Sequence, residues 1–145
     1  MEKLYLLKVV ETIDLNSGMP IPRKQKKFYF IDPFIYHTFS NWTTSKSIDY
    51  SKLIEAVVVS HLSRLYDVYY FKSDGEVDVI VKLNGEYWGI EVKYGKVRGG
   101  VKKVLGRVKK FIYVSKDEIG DNVIPVQLFL AMLKVPIVIE KYEVI

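Results

Sequence analysis

The pair Asn84-Gly85 constrains the fold more than any other feature, because it stands between two runs in which apolar and polar residues alternate. Asn-Gly is the typical sequence of a two-residue type I′ turn, which needs a positive φ at both positions. Alternation over about four to eight residues is the pattern of a half-buried strand. The stretch 73–94 is therefore predicted to be a β-hairpin.

The register of this hairpin groups four charged side chains. If the Asn-Gly pair forms the turn, Asp78 faces Glu91 and Glu76 faces Lys93. Because side chains alternate along a strand, these four residues should project from one side and the apolar residues from the other. Carboxylates directly opposite each other destabilise a sheet by up to about 1 kcal/mol. The hairpin alone leaves two interpretations open, a cation-binding site and a solvated face that Lys93 partly neutralises.

Composition limits the chemistry of any site. The chain has 145 residues, no cysteine and two histidines. Its length suits one domain with its own core. Without cysteine, a metal site must be built mainly of oxygen ligands, which favours Mg²⁺ or Mn²⁺. No apolar run is long enough to cross a membrane and the start lacks a signal-peptide pattern, so we expect a cytoplasmic protein without a membrane partner.

Positive charge is concentrated in one segment. Residues 93–110 contain eight of the 22 lysines and arginines and no acidic residue, although the net charge of the chain is +5. A basic segment beside a carboxylate cluster is typical of a site that attracts an anionic polymer. A solvated lysine face is the alternative. If the polymer is DNA, the basic residues expected to contact its backbone are Lys96, Arg98, Lys102, Lys103 and Arg107.

The order of the predicted elements is that of a mixed α/β domain. Besides the two strands of the hairpin, strands are expected at residues 3–13, 28–31, 68–72, 111–115 and 136–140. Helices are expected at residues 34–39, 50–66, 101–108 and 126–133. We expect residues 41–145 to form the α/β domain and residues 1–40, a hairpin and a short helix, to be an appendage to it.

The helix predicted at 50–66 carries an apolar stripe at i, i+3, i+4 spacing, and Glu55 falls at the edge of that stripe. A carboxylate at that position can face the sheet on which the helix packs. An ordinary glutamate at the boundary of the core is the alternative. His61 lies well inside the stripe, where a half-buried histidine with a satisfied ring is expected rather than a metal ligand.

One spacing resembles the pattern of a known superfamily. A helix glutamate (Glu55), a strand aspartate (Asp78), and Glu91 and Lys93 two residues apart on the next strand resemble the PD-(D/E)xK nucleases. The resemblance implies a restriction-endonuclease-like mixed sheet flanked by helices. It also implies that the three carboxylates bind Mg²⁺ or Mn²⁺ and that the lysine assists the attacking water. Val77 stands where the superfamily name has proline.

A second resemblance covers nearly the whole chain. The segments KFYFIDPFIYHTF, LIEAVVVSHLSRL, GEVDVIVK and GIEVKYGKV look like the C-terminal domain of archaeal AAA-type ATPases of unknown function. Those proteins join a P-loop ATPase and a winged helix to a nuclease-like domain. The P-loop pattern GxxxxGK[ST] is absent here. The resemblance implies that the chain works with an AAA ATPase domain, either in the same chain or in a partner chain. It also implies that the N-terminal hairpin is similar to the wing of a winged helix.

Three functional hypotheses follow. The first is a metal-dependent DNA endonuclease that selects DNA by structure rather than sequence, because no set of base-reading residues is evident. The second is a catalytically inactive nuclease-fold module that binds DNA or a protein. The third is an interaction domain that regulates an ATPase through its N-terminal hairpin. A homodimer is compatible with each.

Overall fold

The computed structural model describes residues 6–43, 49–73, 75–95 and 106–133. Strands and helices are numbered separately in chain order. The strands are β1 (Leu7–Asp14), β2 (Met19–Pro20), β3 (Lys27–Phe30), β4 (Val68–Lys72), β5 (Glu76–Leu83), β6 (Glu86–Lys93), β7 (Val108–Ser115) and β8 (Val123–Pro125). The helices are α1 (Phe34–Trp42), α2 (Tyr50–Leu62) and α3 (Val126–Met132).

The strands form one mixed eight-stranded sheet, which confirms the predicted α/β class. Its order is β2-β1-β4-β5-β6-β7-β8, and β3 pairs with β1 outside this path. The pairs β1–β4, β6–β7 and β7–β8 are parallel and the others are antiparallel. We expected the first 40 residues to be an appendage; in the structure β1 lies between β2 and β4, inside the sheet.

The central hairpin is confirmed. Asn84 and Gly85 have φ values of 49° and 81°, as a type I′ turn requires. The antiparallel pairing of β5 with β6 runs from the turn to Val79 opposite Ile90. Beyond that pair a side chain replaces the backbone as the acceptor: the Oδ2 atom of Asp78 accepts the backbone N–H of Val92 at 3.1 Å.

Strict alternation along β5 is interrupted, so the prediction that the valines of this strand share one face is wrong. The register of β4 with β5 shifts between the pair Tyr69–Ile80 and the pair Phe71–Val77. Such a bulge sets two successive residues of one strand against one residue of its neighbour. As a result Val77 packs in the same apolar cluster as Ile80, whereas Val79 packs in the cluster that includes α2.

Both faces of the sheet carry apolar residues. The larger cluster lies between the sheet and the helices α2 and α3, and includes Val59 and Phe129. The second cluster contains Ile13, Ile80 and Phe111. The face predicted to be charged is therefore partly a core, and the charged residues lie at one end of the strands rather than along a whole face.

Helix α2 begins where predicted but is one turn shorter. The Asp49 side chain caps it by accepting the N–H of Ser51 at 3.0 Å. The helix ends at Leu62, and Leu65, predicted to lie in the apolar stripe, is 38% exposed. The prediction for His61 is confirmed, because the half-buried ring makes a 2.9 Å hydrogen bond to the Val57 carbonyl through Nδ1.

The C-terminal predictions have mixed outcomes. The predicted helix 101–108 overlaps the described residues only at its end, where Val108 begins β7, and the predicted strand 136–140 lies outside them. Strand β8 was not predicted, whereas α3 was. Among the helices in the described ranges, none has the length and apolarity that crossing a membrane requires.

The close contact at Gly89 gives a test of the sheet register. A Cβ at this position would lie 2.5 Å from the Phe111 ring of the neighbouring strand, which is 7% exposed and cannot move aside freely. We expect Gly89→Ala to lower the free energy of unfolding by about 1–3 kcal/mol, the usual cost of overpacking. Urea denaturation measures it. Gly75→Ala is the control, because a Cβ there meets nothing within 4 Å, and an equal loss in both variants would contradict the register.

Candidate functional site

The ammonium group of Lys27 lies among three carboxylates. Its Nζ is 2.9 Å from Glu76 Oε1, 3.0 Å from Glu55 Oε1 and 3.6 Å from Asp78 Oδ1. We call these four residues the Lys27 cluster. The acids come from α2 and β5 and the lysine from β3, so the cluster joins three elements that are distant in the sequence. This is the densest group of charges in the part of the chain that the structure describes.

Strand β3 brings two side chains to Glu55. Lys27 and Tyr29 are two residues apart and so point the same way, and the Tyr29 hydroxyl donates a hydrogen bond to the same Glu55 oxygen that Lys27 contacts. Pairing with β1 fixes the strand, and Ser60 of α2 holds its end by donating to the Ile31 carbonyl at 2.8 Å. Glu55 therefore has two donors from one strand.

The bulge in β5 determines where Asp78 points. One carboxylate oxygen accepts the Val92 N–H of β6, and the other faces the Lys27 ammonium. At the end of the β5–β6 ladder, the Asp78 side chain thus accepts a hydrogen bond that a backbone carbonyl would otherwise accept. It is held by Val92 on one side and Lys27 on the other. Its side chain is only 18% exposed, so both contacts are partly shielded from water.

Glu91 and Lys93 form a second pair beside the cluster. Glu91 is 3% exposed, and its Oε2 lies 3.1 Å from Lys93 Nζ. Burial works against protonation of Lys93, but the hydrogen bond and charge of Glu91 outweigh it and raise the lysine pKa. The Asp78–Val92 hydrogen bond links this pair to the Lys27 cluster, since Val92 lies between the two residues.

An open groove of about 760 Å³ gives access to the Lys27 cluster. Its charged lining consists of Lys27, Lys52, Glu55, Glu76 and Asp78. Its apolar lining comes from Leu7 and the aromatic residues Phe28, Tyr29, Phe30 and Tyr36. The groove therefore offers carboxylates, amines and aromatic rings to one ligand.

Two groups in the groove that contact Glu55 have shifted pKa values. Burial alone would lower the pKa of Lys27, but the hydrogen bond to Glu76 and the charges of Glu55 and Asp78 raise it, so the amine stays protonated. Burial and the hydrogen bond to Glu55 raise the pKa of Tyr29, so that its hydroxyl remains a neutral donor. At neutral pH the groove thus contains a protonated amine and a neutral hydroxyl donor.

The donor set fits a hard divalent cation in kind, because every candidate ligand is a carboxylate oxygen. Glu55 and Asp78 are two of the three residues predicted to bind metal, and they face one position. The Lys27 ammonium occupies that position in the structure. Mg²⁺ needs oxygens at about 2.1 Å, closer than an ammonium holds them. Accordingly, no ready-made group of three metal-binding side chains occurs within the described ranges.

The other predicted site residues lie elsewhere. Glu91 contacts Lys93, as noted. Arg107, one of the five residues predicted to bind DNA, uses its Nε to donate to the Asn16 carbonyl at 2.9 Å. The remaining four lie outside the described residues: Lys96, Arg98, Lys102 and Lys103.

Sequence reasoning missed two members of the site, Lys27 and Tyr29. Tyr29 was placed only within the strand predicted at 28–31, and Glu76 was predicted in the charged group but opposite Lys93 instead of Lys27. One signal was available, because the sequence Lys-Phe-Tyr-Phe places the two polar side chains on one face of the strand. Nothing local indicates that this face meets Glu55, since 28 residues separate Lys27 from it.

Comparisons with protein-family models, with curated proteins and with solved structures gave no match to this chain. The geometry of the groove is therefore the basis for any functional assignment.

The Tyr29 hydroxyl gives a test of the site. We expect Tyr29→Phe to lower the free energy of unfolding by about 1.5 kcal/mol at pH 7, the lower end for a hydrogen bond to a charged group, because Lys27 still contacts Glu55. The folded state raises the Tyr29 pKa above its ordinary value of 10.0. This stabilisation is thus present below pH 10 and declines above it by up to about 1.4 kcal/mol per pH unit.

Urea denaturation at pH 7 to 11 measures this effect. Tyr50→Phe is the matched control, because the hydroxyl lies on a residue that is 49% exposed and the ring can still stack on Tyr94. We expect it to change stability by no more than about 0.5 kcal/mol at pH 7. Equal effects of the two substitutions would contradict the Tyr29–Glu55 interaction.

Proposed function

We propose that this chain is a metal-dependent endonuclease-like domain that hydrolyses phosphodiester bonds in DNA. The observation that carries the proposal is that Glu55, from a helix, and Asp78, from a bulged strand, face one cation position beside the Glu91–Lys93 pair. Carboxylates on a helix and a strand with a lysine at the next strand end are the residue types that this reaction uses. The proposal includes Mg²⁺ or Mn²⁺ as the cofactor.

Each residue has a role that its surroundings support. Glu55 and Asp78 would hold the metal, which when bound polarises the phosphate and lowers the pKa of a bound water. Lys93, about half exposed and protonated, can approach a phosphate and stabilise negative charge that develops on it. Glu91 orients Lys93 through their 3.1 Å contact, and its buried carboxylate is a further candidate ligand.

The arrangement of strands supports the finer fold assignment, a restriction-endonuclease-like sheet. In such a fold we expect a helix, then an antiparallel hairpin with the site at its open end, then a parallel strand. Here α2 precedes β4, the hairpin β5–β6 carries Asp78 and Glu91 at its open end, and β7 runs parallel to β6.

DNA is the proposed substrate because the site is followed by the basic segment 93–110. Its described members include Lys109 and Lys110, and Lys110 lies over the Trp88 ring and near Glu86. Binding through the phosphate backbone would weaken steeply with salt and would favour recognition of DNA structure over sequence. An AAA ATPase domain as a partner and a cytoplasmic location belong to the same proposal.

One observation favours a second candidate, a nuclease-fold module without activity. The Lys27 ammonium already neutralises carboxylates that would otherwise need a metal. A chain that uses a lysine in this way keeps the geometry of the fold and has no need of an ion. Such a module would bind DNA or a protein without cleaving either.

Cleavage of supercoiled plasmid and of branched DNA in MnCl₂ or MgCl₂ tests the two candidates. We expect metal-dependent cleavage by the wild-type chain, and a loss of about 100-fold or more in Asp78→Asn and in Lys93→Met, the scale on which a single catalytic group contributes. Gel electrophoresis measures the rate, and filter binding measures DNA affinity in parallel.

Glu86→Gln is the control for these substitutions, because Glu86 lies on the same hairpin but at the turn, where it pairs with Lys110. We expect it to cleave at the wild-type rate. Cleavage that survives both site substitutions would remove the active-site assignment. DNA binding without any cleavage in either metal would establish the inactive module in its place.

A further inference from the structure

We propose that Lys27 is a built-in competitor of the divalent metal, so that the metal binds with full affinity only when this side chain leaves the carboxylates. The inference rests on the proposed metal-dependent function and adds its regulation. Lys27, a residue of strand β3, would then control metal binding at a site whose carboxylates belong to α2 and β5.

The geometry makes the competition direct. The Lys27 ammonium contacts one oxygen of Glu55 and one of Asp78, the two residues that face the cation position. An ammonium and a metal ion cannot occupy the same position between these oxygens, because two positive charges so close together repel each other. The third carboxylate, Glu76, is 2.9 Å from the ammonium and strengthens the hold of the cluster on the lysine.

Ion pairs hold the Lys27 ammonium at this position, but its side chain has room to move. Its side chain is 23% exposed, and that of its nearest carboxylate partner, Glu76, is 46% exposed. The Nζ also lies 5.4 Å from the centre of the Tyr70 ring, a contact that tolerates movement. Four flexible carbons allow the ammonium to swing into the groove while β3 stays paired with β1.

A matched lysine exists in the same groove. Lys52 lines the groove and carries the same charge, but with the described residues it forms no ion pair. Removing it changes the charge of the groove by the same amount as removing Lys27. A difference between the two substitutions therefore reports on the position of the cation and not on net charge.

Titration calorimetry with MnCl₂ on the full chain, without DNA, tests the inference. We expect Lys27→Met to bind Mn²⁺ about tenfold or more tightly than the wild-type chain, because a positive charge about 3 Å from the ligand oxygens is removed. Lys52→Met should change the affinity by less than about threefold, since an exposed charge is screened. Thermal denaturation with and without MnCl₂ gives a second measurement, because tighter binding raises the melting temperature.

Loss of the lysine leaves three carboxylates close together, so Lys27→Met can be unstable without metal. The double variant Lys27→Met/Glu76→Gln removes one of these charges and keeps Glu55 and Asp78, and we expect it also to bind Mn²⁺ more tightly than the wild-type chain. Tighter binding in either Lys27 variant, but not in Lys52→Met, supports the inference even if no variant cleaves DNA. Equal affinities, or no binding in any variant, overturn it, and metal-dependent cleavage by the wild-type chain would then leave the proposed function standing.

Discussion

The contact between one ammonium group and three carboxylates is the interaction on which the rest of the site depends. Three acids from two elements cannot stay together in a partly buried groove unless a cation offsets their repulsion. Lys27 supplies that charge from β3, and Tyr29 adds a hydroxyl donor to Glu55. The contact of β3 with α2 and the grouping of the acids are therefore coupled through Lys27 and Tyr29.

The bulge in β5 gives the site its second constraint. In a regular ladder Asp78 would stand opposite Glu91, and two buried carboxylates would face each other. Instead Asp78 turns one oxygen to the Val92 N–H and the other to Lys27. Asp78 thus contacts Lys27, and Glu91 contacts Lys93. The charge of Asp78 also helps to raise the pKa of Lys93, so the two carboxylates and the two amines form one connected network.

The sequence predicted the elements whose signals are local. The Asn84-Gly85 turn was predicted because only a few residue pairs accept two positive φ values, and α2 was predicted from its apolar period. The bulge was not predictable, since it depends on how β4 fits against β5. Nor was the role of Lys27, which is fixed by the packing of an N-terminal strand on a helix. Glu55 and Asp78 were predicted as neighbours because their residue types and order resemble the pattern of a known superfamily.

A pattern of acids and a lysine in the sequence leaves open which cation the acids hold. The residues Glu55, Asp78, Glu91 and Lys93 are compatible both with a metal site and with a network of internal ion pairs, because carboxylate oxygens accept either partner. In the proposed metal-bound state the metal would use the carboxylates of Glu55 and Asp78, which here contact the Lys27 ammonium. The position of the Lys27 ammonium, which depends on how β3 packs and not on any local signal, therefore distinguishes the two.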